Sequence, residues 1–551
     1  MRIALAQLNY HIGNFASNTQ KIISAIHRAR KEGCDLVVFA ELALCGYLPK
    51  DLLDYPGFIE DCHTRLKEIA SHCEGIAAIV GAPAYNTGKG KSLFNSAFLL
   101  QDGLVKANVN KSLLPTYDVF DEYRYFEPSS DTSIIELKGY KIALTICEDL
   151  WNLGDHALYK HCPMDQLMKS TPDFMLNIAA SPYSYEQQQE RRGILLNNVV
   201  KYKIPLLYVN QVGAQTQLIF DGGSTVLNAD QSVLDVLNYF SEDFRSYEIS
   251  RDEQGKCLVN PVVANQIPSE TNKISGIHDA LILGIRDYFT KSGFSKAVLG
   301  LSGGIDSALV MALAVKALGE ENIAAILMPS EYSSEHSVSD SITMVKTLNV
   351  KHHIIPIASI YKDFEQSLDP LFKGLPFNVA EENLQARIRG ALLMAYSNKF
   401  GHILLNTTNK SEMAVGYGTL YGDMCGALAV IGDVYKTDVY ELCRYINRQS
   451  EIIPENIINK APSAELRPGQ KDSDSLPEYP LLDGILYQYI EEKENREEII
   501  KRGFPEEVVN RVIRLVNLNE FKRFQAAPVL RVSPKSFGSG RRMPIVAKFD
   551  F

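Results

Sequence analysis

The stretch Ser302-Gly-Gly-Ile-Asp-Ser307 constrains this chain more than any other. An apolar run at 296–301 precedes it and a longer one at 307–318 follows. The first has the length of a buried strand and the second that of a helix, so the polar turn lies between a strand's carboxyl end and a helix's amino end. Free N–H groups and the helix dipole make such a turn a receptor for anions. Two glycines let the main chain approach a phosphate closely, two serines add hydroxyl donors, and Asp306 can hold a magnesium ion bridging phosphate oxygens. The Gly-Lys-Ser/Thr ending of a Walker loop is absent. An isolated stretch of this kind reads equally well as an ordinary glycine-rich turn; its strand-before, helix-after setting favours the phosphate loop.

The rest of the second half repeats that setting. Residues 277–289 have helical spacing, and 322–329, 350–357 and 402–406 read as strands separated by helices. Repeated strand–helix units predict a parallel sheet covered by helices on both faces, with ligands beyond the strands' carboxyl ends. Thr407-Thr-Asn-Lys-Ser-Glu412 lies at such an end, and Asp306 and Glu412 together can share magnesium. A polar loop that merely caps the next helix explains the same residues. Gly416-Tyr-Gly-Thr-Leu-Tyr-Gly-Asp423 is a glycine-rich aromatic loop, Lys436 is a candidate phosphate partner, and 461–479 reads as a long loop, either disordered or a lid.

The first half alternates strands and helices as well, which predicts an α/β or layered α+β domain. Strands are expected at 3–9, 35–40, 76–81, 96–100, 104–110, 141–146, 174–179, 204–210 and 224–227, with a helix at 18–32. Three reactive side chains fall just past strand ends: Glu41, Lys111 and Cys147. A cysteine attacks an amide as its thiolate, a carboxylate can take its proton, and a lysine can face the oxyanion. Taken singly, Cys147 reads better as a small core hydrophobe, Lys111 as a solvated residue and Glu41 as a cap or ion-pair partner. Spacing does not bring the three together. The stretch 241–272 is polar and aperiodic and holds the boundary between halves, with 1–250 and 276–551 as domains and 251–275 as linker.

A chain of 551 residues is too long for one core, and 46% hydrophobic with 22% charged residues is the balance of a globular protein. A net charge of −10 without a basic block disfavours nucleic acid and anionic membranes as partners. The nine cysteines are scattered, with no CxxC pair, which fits free thiols in a reducing cytoplasm. There is neither a signal peptide at the start nor an apolar run long enough for a bilayer.

The phosphate stretch resembles the pyrophosphate loop of the N-type ATP pyrophosphatases. Phe39-Ala-Glu-Leu-Ala-Leu-Cys-Gly-Tyr47, Asn110-Lys-Ser-Leu-Leu-Pro-Thr-Tyr117 and Ile146-Cys-Glu-Asp-Leu-Trp151 resemble the signature stretches of the nitrilase/amidase superfamily. That resemblance implies an αββα sandwich in which Glu41 is the general base, Lys111 the oxyanion stabiliser and Cys147 the nucleophile. It makes Tyr117, Glu148 and Ser181 contacts to glutamine. The Gly-Lys expected after Ser181 is replaced by Glu186-Gln-Gln-Gln189.

With Glu381-Glu-Asn-Leu-Gln-Ala-Arg-Ile-Arg389, Asn409-Lys-Ser-Glu412, Tyr417–Met424, Pro462-Ser-Ala-Glu-Leu466 and Asn519-Glu-Phe-Lys-Arg523, nearly the whole chain resembles the glutamine-dependent NAD(+) synthetase family. The resemblance implies a Rossmann-like ATP-pyrophosphatase domain as the second half. ATP would contact Gly300, Leu301, Ser302, Gly303, Gly304, Ile305, Asp306, Ser307, Thr407 and Lys436. Deamido-NAD would contact Asn383, Glu412, Asp423 and Lys522, and Asp306 and Glu412 would hold Mg2+. It also implies homo-oligomers and, with an amidase fused to a synthetase, an internal ammonia tunnel. Two positions depart from the family pattern: Thr408, where glycine is expected, and Gly432, where lysine is more usual. The competing reading is another ATP-pyrophosphatase amidotransferase with a different carboxylate or carbonyl acceptor. A tRNA-modifying enzyme would need a basic face, and a non-catalytic nitrilase-like scaffold would not need Glu41, Lys111, Cys147 and Asp306 intact.

Overall fold

The computed structural model describes residues 1–153, 158–264, 266–268, 272–467 and 469–548. It divides into two compact units, Met1–Glu270 and Thr271–Phe551.

The first unit is built on two sheets. In one, the central parallel strands Arg2–Gln7, Leu36–Val38 and Ala77–Tyr85 are extended antiparallel by Leu93–Gln101 and Leu104–Asn110 on one side. Asp243–Arg251 and Cys257–Pro261 extend it on the other. The second sheet has parallel strands Tyr140–Ile146, Phe174–Ala179 and Leu206–Asn210 at its centre. Strand side chains alternate faces, and the two cores follow that alternation. Ile3, Leu5, Leu36 and Val38 pack with Ile142, Leu144, Leu176 and Ile178 of the second sheet. Ala4, Ala6 and Val37 instead meet Ile22, Ile26, Leu66 and Ile69 from the helices Phe15–Lys31 and Pro56–Ser71. Two sheets face to face beneath helices make the αββα sandwich.

The stretch 251–275, expected as linker, contains regular structure. Cys257–Pro261 is a strand of the first sheet, paired with Asp243–Arg251 through Ile249 and Val259, and the helix Lys273–Ser292 begins within its last residues. The polar composition of this edge hid its alternation: Cys257 and Val259 are buried while Leu258 and Asn260 face out. Residues 265 and 269–271 of that stretch lie outside the described residues, as does 468 of the 461–479 loop.

The second unit has a five-stranded, wholly parallel sheet. Ala297–Gly300 is central; Ile323–Leu327 and then Lys351–Ile354 lie to one side, Ile403–Asn406 and then Leu428–Ala429 to the other. The chain therefore reverses its direction of travel across the sheet between Ala297–Gly300 and Ile403–Asn406. A crevice opens at such a reversal beyond the strand ends, and there a ligand meets two loops at once. No helix among the described residues is long and apolar enough to cross a membrane.

Candidate active sites

In the first unit, Glu41, Lys111 and Cys147 each follow a strand by one to three residues, and the two facing sheets bring those ends together. All three are buried. Lys111 Nζ donates to Glu41 Oε1 at 2.7 Å and to Glu122 Oε1 and Oε2 at 2.8 and 2.9 Å. Asn95 Nδ2 donates to Glu41 Oε1 at 2.7 Å and to Glu122 Oε2 at 3.2 Å, and Tyr47 OH donates to Glu122 Oε1 at 2.7 Å. The N–H of Ala180, next to the buried Ser181, completes the shell of Glu41 at 3.0 Å.

Burial pushes the Glu41 carboxyl up to about 7; Lys111 pulls it back and the Glu122 charge adds to the rise. Burial by itself would lower the Lys111 ammonium, but Glu122 and Glu41 more than offset it and hold it charged. The Cys147 thiol is pushed well up by burial and by Glu41, against the pull of Lys111. Cys147 opens the short turn Cys147–Leu150 with φ of 44°, a left-handed conformation a non-glycine residue adopts at a cost.

Glu148 lies beside this group. Its oxygens accept from Tyr117 OH at 3.0 and 3.1 Å and from Tyr159 OH at 3.2 Å, and burial pushes its carboxyl up to about 7. A buried thiol, a carboxylate poised near neutrality and a fixed ammonium can cleave an amide through a thioester. Sequence reasoning missed Glu122, Asn95, Tyr47 and Tyr159. Glu122 sits in the 3-10 turn Glu122–Arg124, where no strand end or period marks it.

In the second unit, the loop after Ala297–Gly300 and the loop after Ile403–Asn406 border one cavity of about 1170 Å³. Gly300 through Ser307, Thr407, Lys436, Asn383, Glu412, Asp423 and Lys522 all line it. The phosphate loop is held open by its own serines: Ser302 and Ser307 hydroxyls meet at 3.2 Å, and Gly304 N–H donates to Ser302 Oγ at 3.2 Å. Gly303 has φ of 80°, and a Cβ there would stand 2.4 Å from Ser337 O, so only glycine fits against the helix Glu335–Thr347.

Asp306 accepts from Asn409 Nδ2 at 2.9 Å and from Lys436 Nζ, which also reaches Glu412 Oε1 at 3.4 Å. Burial and Asp306 push the Glu412 carboxyl up to about 8, against Lys436. The two carboxylates already share one cation, the lysine ammonium. Such a pair suits a divalent ion that completes its shell with phosphate oxygens and water. Among the described residues, no group of three or more His, Cys, Asp or Glu could hold an ion alone. Farther along the cavity, Thr419 ties Asn383 to Asp423: its hydroxyl donates to Asn383 Oδ1 at 2.6 Å and its N–H to Asp423 Oδ1 at 2.6 Å. Lys522 Nζ donates to Gly416 O and Gly418 O at 2.7 and 2.8 Å. Of the two departures from the family pattern, Thr408 N–H donates to Asn406 Oδ1 at 2.9 Å. A Cβ at Gly432 would stand 3.1 Å from both Ala429 Cβ and Met413 Cε, room too tight for a lysine without movement.

The family model for carbon-nitrogen hydrolases matches residues 2–257, and that for NAD synthase matches 277–526. The glutamine-dependent NAD(+) synthetase of Synechocystis is 48% identical over 558 residues, covering 99% of each chain. That of Acinetobacter baylyi is 43% identical over 550 residues, covering 99% of this chain and 98% of its own. A solved glutamine-dependent NAD+ synthetase from Acinetobacter baumannii, in complex with ADP, superposes with a TM-score of 0.78 at 40% identity, over 99% of this chain and 98% of that one. With both half-chain models matched in order and such identity sustained from end to end, this chain belongs to the glutamine-dependent NAD(+) synthetase family.

Proposed function

We propose that the chain amidates the nicotinate carboxylate of deamido-NAD, using ATP and ammonia released from glutamine. The observation that carries this reading is the pairing, within one chain, of a buried Glu41–Lys111–Glu122 network beside Cys147 with a phosphate loop on a cavity of about 1170 Å³. In the amidase unit Glu41 takes the Cys147 proton as sulfur attacks the glutamine amide carbon. An ammonium has three N–H bonds. Those of Lys111 meet Glu41 and Glu122, which fix the ammonium in place, and its positive charge stabilises the oxyanion. Ammonia leaves carrying the proton from Glu41, and water then cleaves the thioester to glutamate. Glu148, Tyr117 and Ser181 hold the amino-acid end of glutamine.

In the synthetase unit a carboxylate oxygen attacks the ATP α-phosphorus and pyrophosphate leaves. The resulting acyl adenylate is attacked by ammonia, and NAD and AMP are formed. Residues 300–307, Thr407 and Lys436 bind ATP; Asn383, Asp423 and Lys522 bind deamido-NAD, with Glu412 close by. Magnesium held by Asp306 and Glu412 would offset the triphosphate charge. Free ammonia is mostly protonated near neutral pH, so passing it internally preserves its nucleophilicity; that motivates a tunnel between the units.

The test is NAD formation from deamido-NAD and ATP, with glutamine or ammonium, in wild type and Cys147→Ala. The variant is expected to lose the glutamine reaction by roughly a thousand-fold or more while keeping the ammonium reaction. Retained glutamine activity would remove Cys147 as nucleophile. No NAD from either nitrogen source in wild type would move the chain to a different acceptor.

A further inference from the structure

Asp149 has no part in the chemistry above, yet it is a fully buried carboxylate two residues beyond the nucleophile. Its partners are backbone N–H groups from two separate segments. Oδ1 accepts from Ser112 N at 3.0 Å and Leu113 N at 2.9 Å, and Oδ2 accepts from Ile146 N at 3.0 Å. Ser112 and Leu113 directly follow Lys111, and Ile146 directly precedes Cys147. One side chain therefore clasps the main chain on the far side of the lysine to the main chain on the near side of the cysteine.

The residue type is what makes the clasp work. A buried carboxyl is costly, and burial pushes this one up to about 6 despite the three N–H groups and Lys111. An asparagine of the same shape would be neutral and less costly, but it has a single acceptor oxygen. Turned to serve Ser112 and Leu113, it would point its own NH2 at the Ile146 N–H, donor against donor. Only a carboxylate accepts from both sides. The cost is borne beside a constrained stretch of backbone, since Cys147 carries the left-handed φ of 44°.

We propose that Asp149 is a positioning residue for amide cleavage: it sets the distance and orientation between the Lys111 ammonium and the Cys147 thiol. This rests on the glutamine-hydrolysis reading above. Asp149 touches neither substrate nor reacting atoms; it acts through the two segments it joins. Its loss should therefore slow the chemical step more than it weakens glutamine binding.

The experiment uses the full-length chain with Asp149→Asn, following glutamate release, ammonium-driven NAD formation, and the rate at which iodoacetamide alkylates Cys147 at fixed pH. A misplacement of about 1 Å costs on the order of 100-fold in rate. The expected result is a fall in kcat for glutamine of roughly 10- to 100-fold, with KM within about two-fold, slower alkylation of Cys147, and unchanged ammonium-driven synthesis. A kcat near wild type, or an alkylation rate that does not move, would overturn the proposal by reducing Asp149 to a fold-stabilising group. Should Asp149→Asn not fold, Asp149→Glu keeps both acceptor oxygens but lengthens the clasp by one methylene. A folded Glu variant with lowered kcat and unchanged KM supports the proposal, and one with wild-type kcat overturns it. Failure of the glutamine reading itself is separate: it would appear as absent glutamate release in wild type.

Discussion

Glu41 has no cation to itself. Burial favours its neutral form, and because it divides Lys111 with Glu122 the lysine does not fully reverse that, while the neighbouring Glu122 adds to the rise. A base pushed up to about 7 accepts a proton in its ionised form, present above that pH. Glutamine hydrolysis should therefore rise as pH climbs through about 7, read as kcat/KM for glutamate release; a flat profile between about pH 5 and about pH 8 would contradict it. In Glu122→Gln a charge that raises Glu41 is gone, and the rising limb should shift to lower pH. A second buried cation has a different task. Lys410 is fully buried and pairs with Asp433 at 3.0 Å and Glu491 at 2.6 Å, while donating to Ser533 Oγ at 2.6 Å. Lys410→Met would leave two buried carboxylates without their cation, a loss of about 3–5 kcal/mol, measurable as a lower urea midpoint for the synthetase unit. Of these residues, Glu41 and Lys111 were legible at strand ends. Glu122 was not, because its partner lies eleven positions away across a loop that only the fold closes.

At the scale of elements, the phosphate loop shows how a short motif depends on a neighbour it does not name. The strand Ala297–Gly300 and helix Ile305–Leu318 follow from apolar patterning, and the turn between them follows from its glycines and serines. The helix Glu335–Thr347 is what makes Gly303 irreplaceable. Gly303→Ala would impose both a left-handed φ and a contact at 2.4 Å with Ser337 O. The loop must shift, and the KM for ATP should rise about 10-fold or more with either nitrogen source, while glutamate release is unchanged. Equal ATP kinetics in the variant would mean that the loop does not grip ATP. The same helix end anchors the 461–479 segment: Glu465 accepts from Ser334 Oγ, Ser337 Oγ and Lys460 Nζ at 3.0, 2.8 and 2.7 Å. Composition marked that segment as a loop or lid without showing what holds it, since the contacts from Ser334 and Ser337 are polar and come from a helix more than a hundred residues away.

At the scale of the molecule, two compact units each carry their own core and their own reactive site. Their coupling is the expectation that belongs to the whole chain. With an internal route for ammonia, glutamine-driven NAD formation should persist when an external enzyme consumes free ammonia, whereas ammonium-driven formation should collapse. Full suppression of the glutamine reaction by the trap would remove the tunnel.

By itself, the sequence determined that the chain has two α/β halves, where most strands end, and which reactive side chains stand at those ends. Periodicity and turn chemistry are local, and these features depend on nothing else. It also carried enough motif in register to indicate the family. Only the tertiary structure decided which strand ends meet. Glu122, Asn95 and Tyr47 joined the Glu41–Lys111 pair, Asp149 joined two segments through main-chain bonds, and the polar edge at 257–261 became a strand by pairing with 243–251. The physical reason is common to all of these. Burial and hydrogen bonding across distant segments set them, and neither leaves a period in the residues involved.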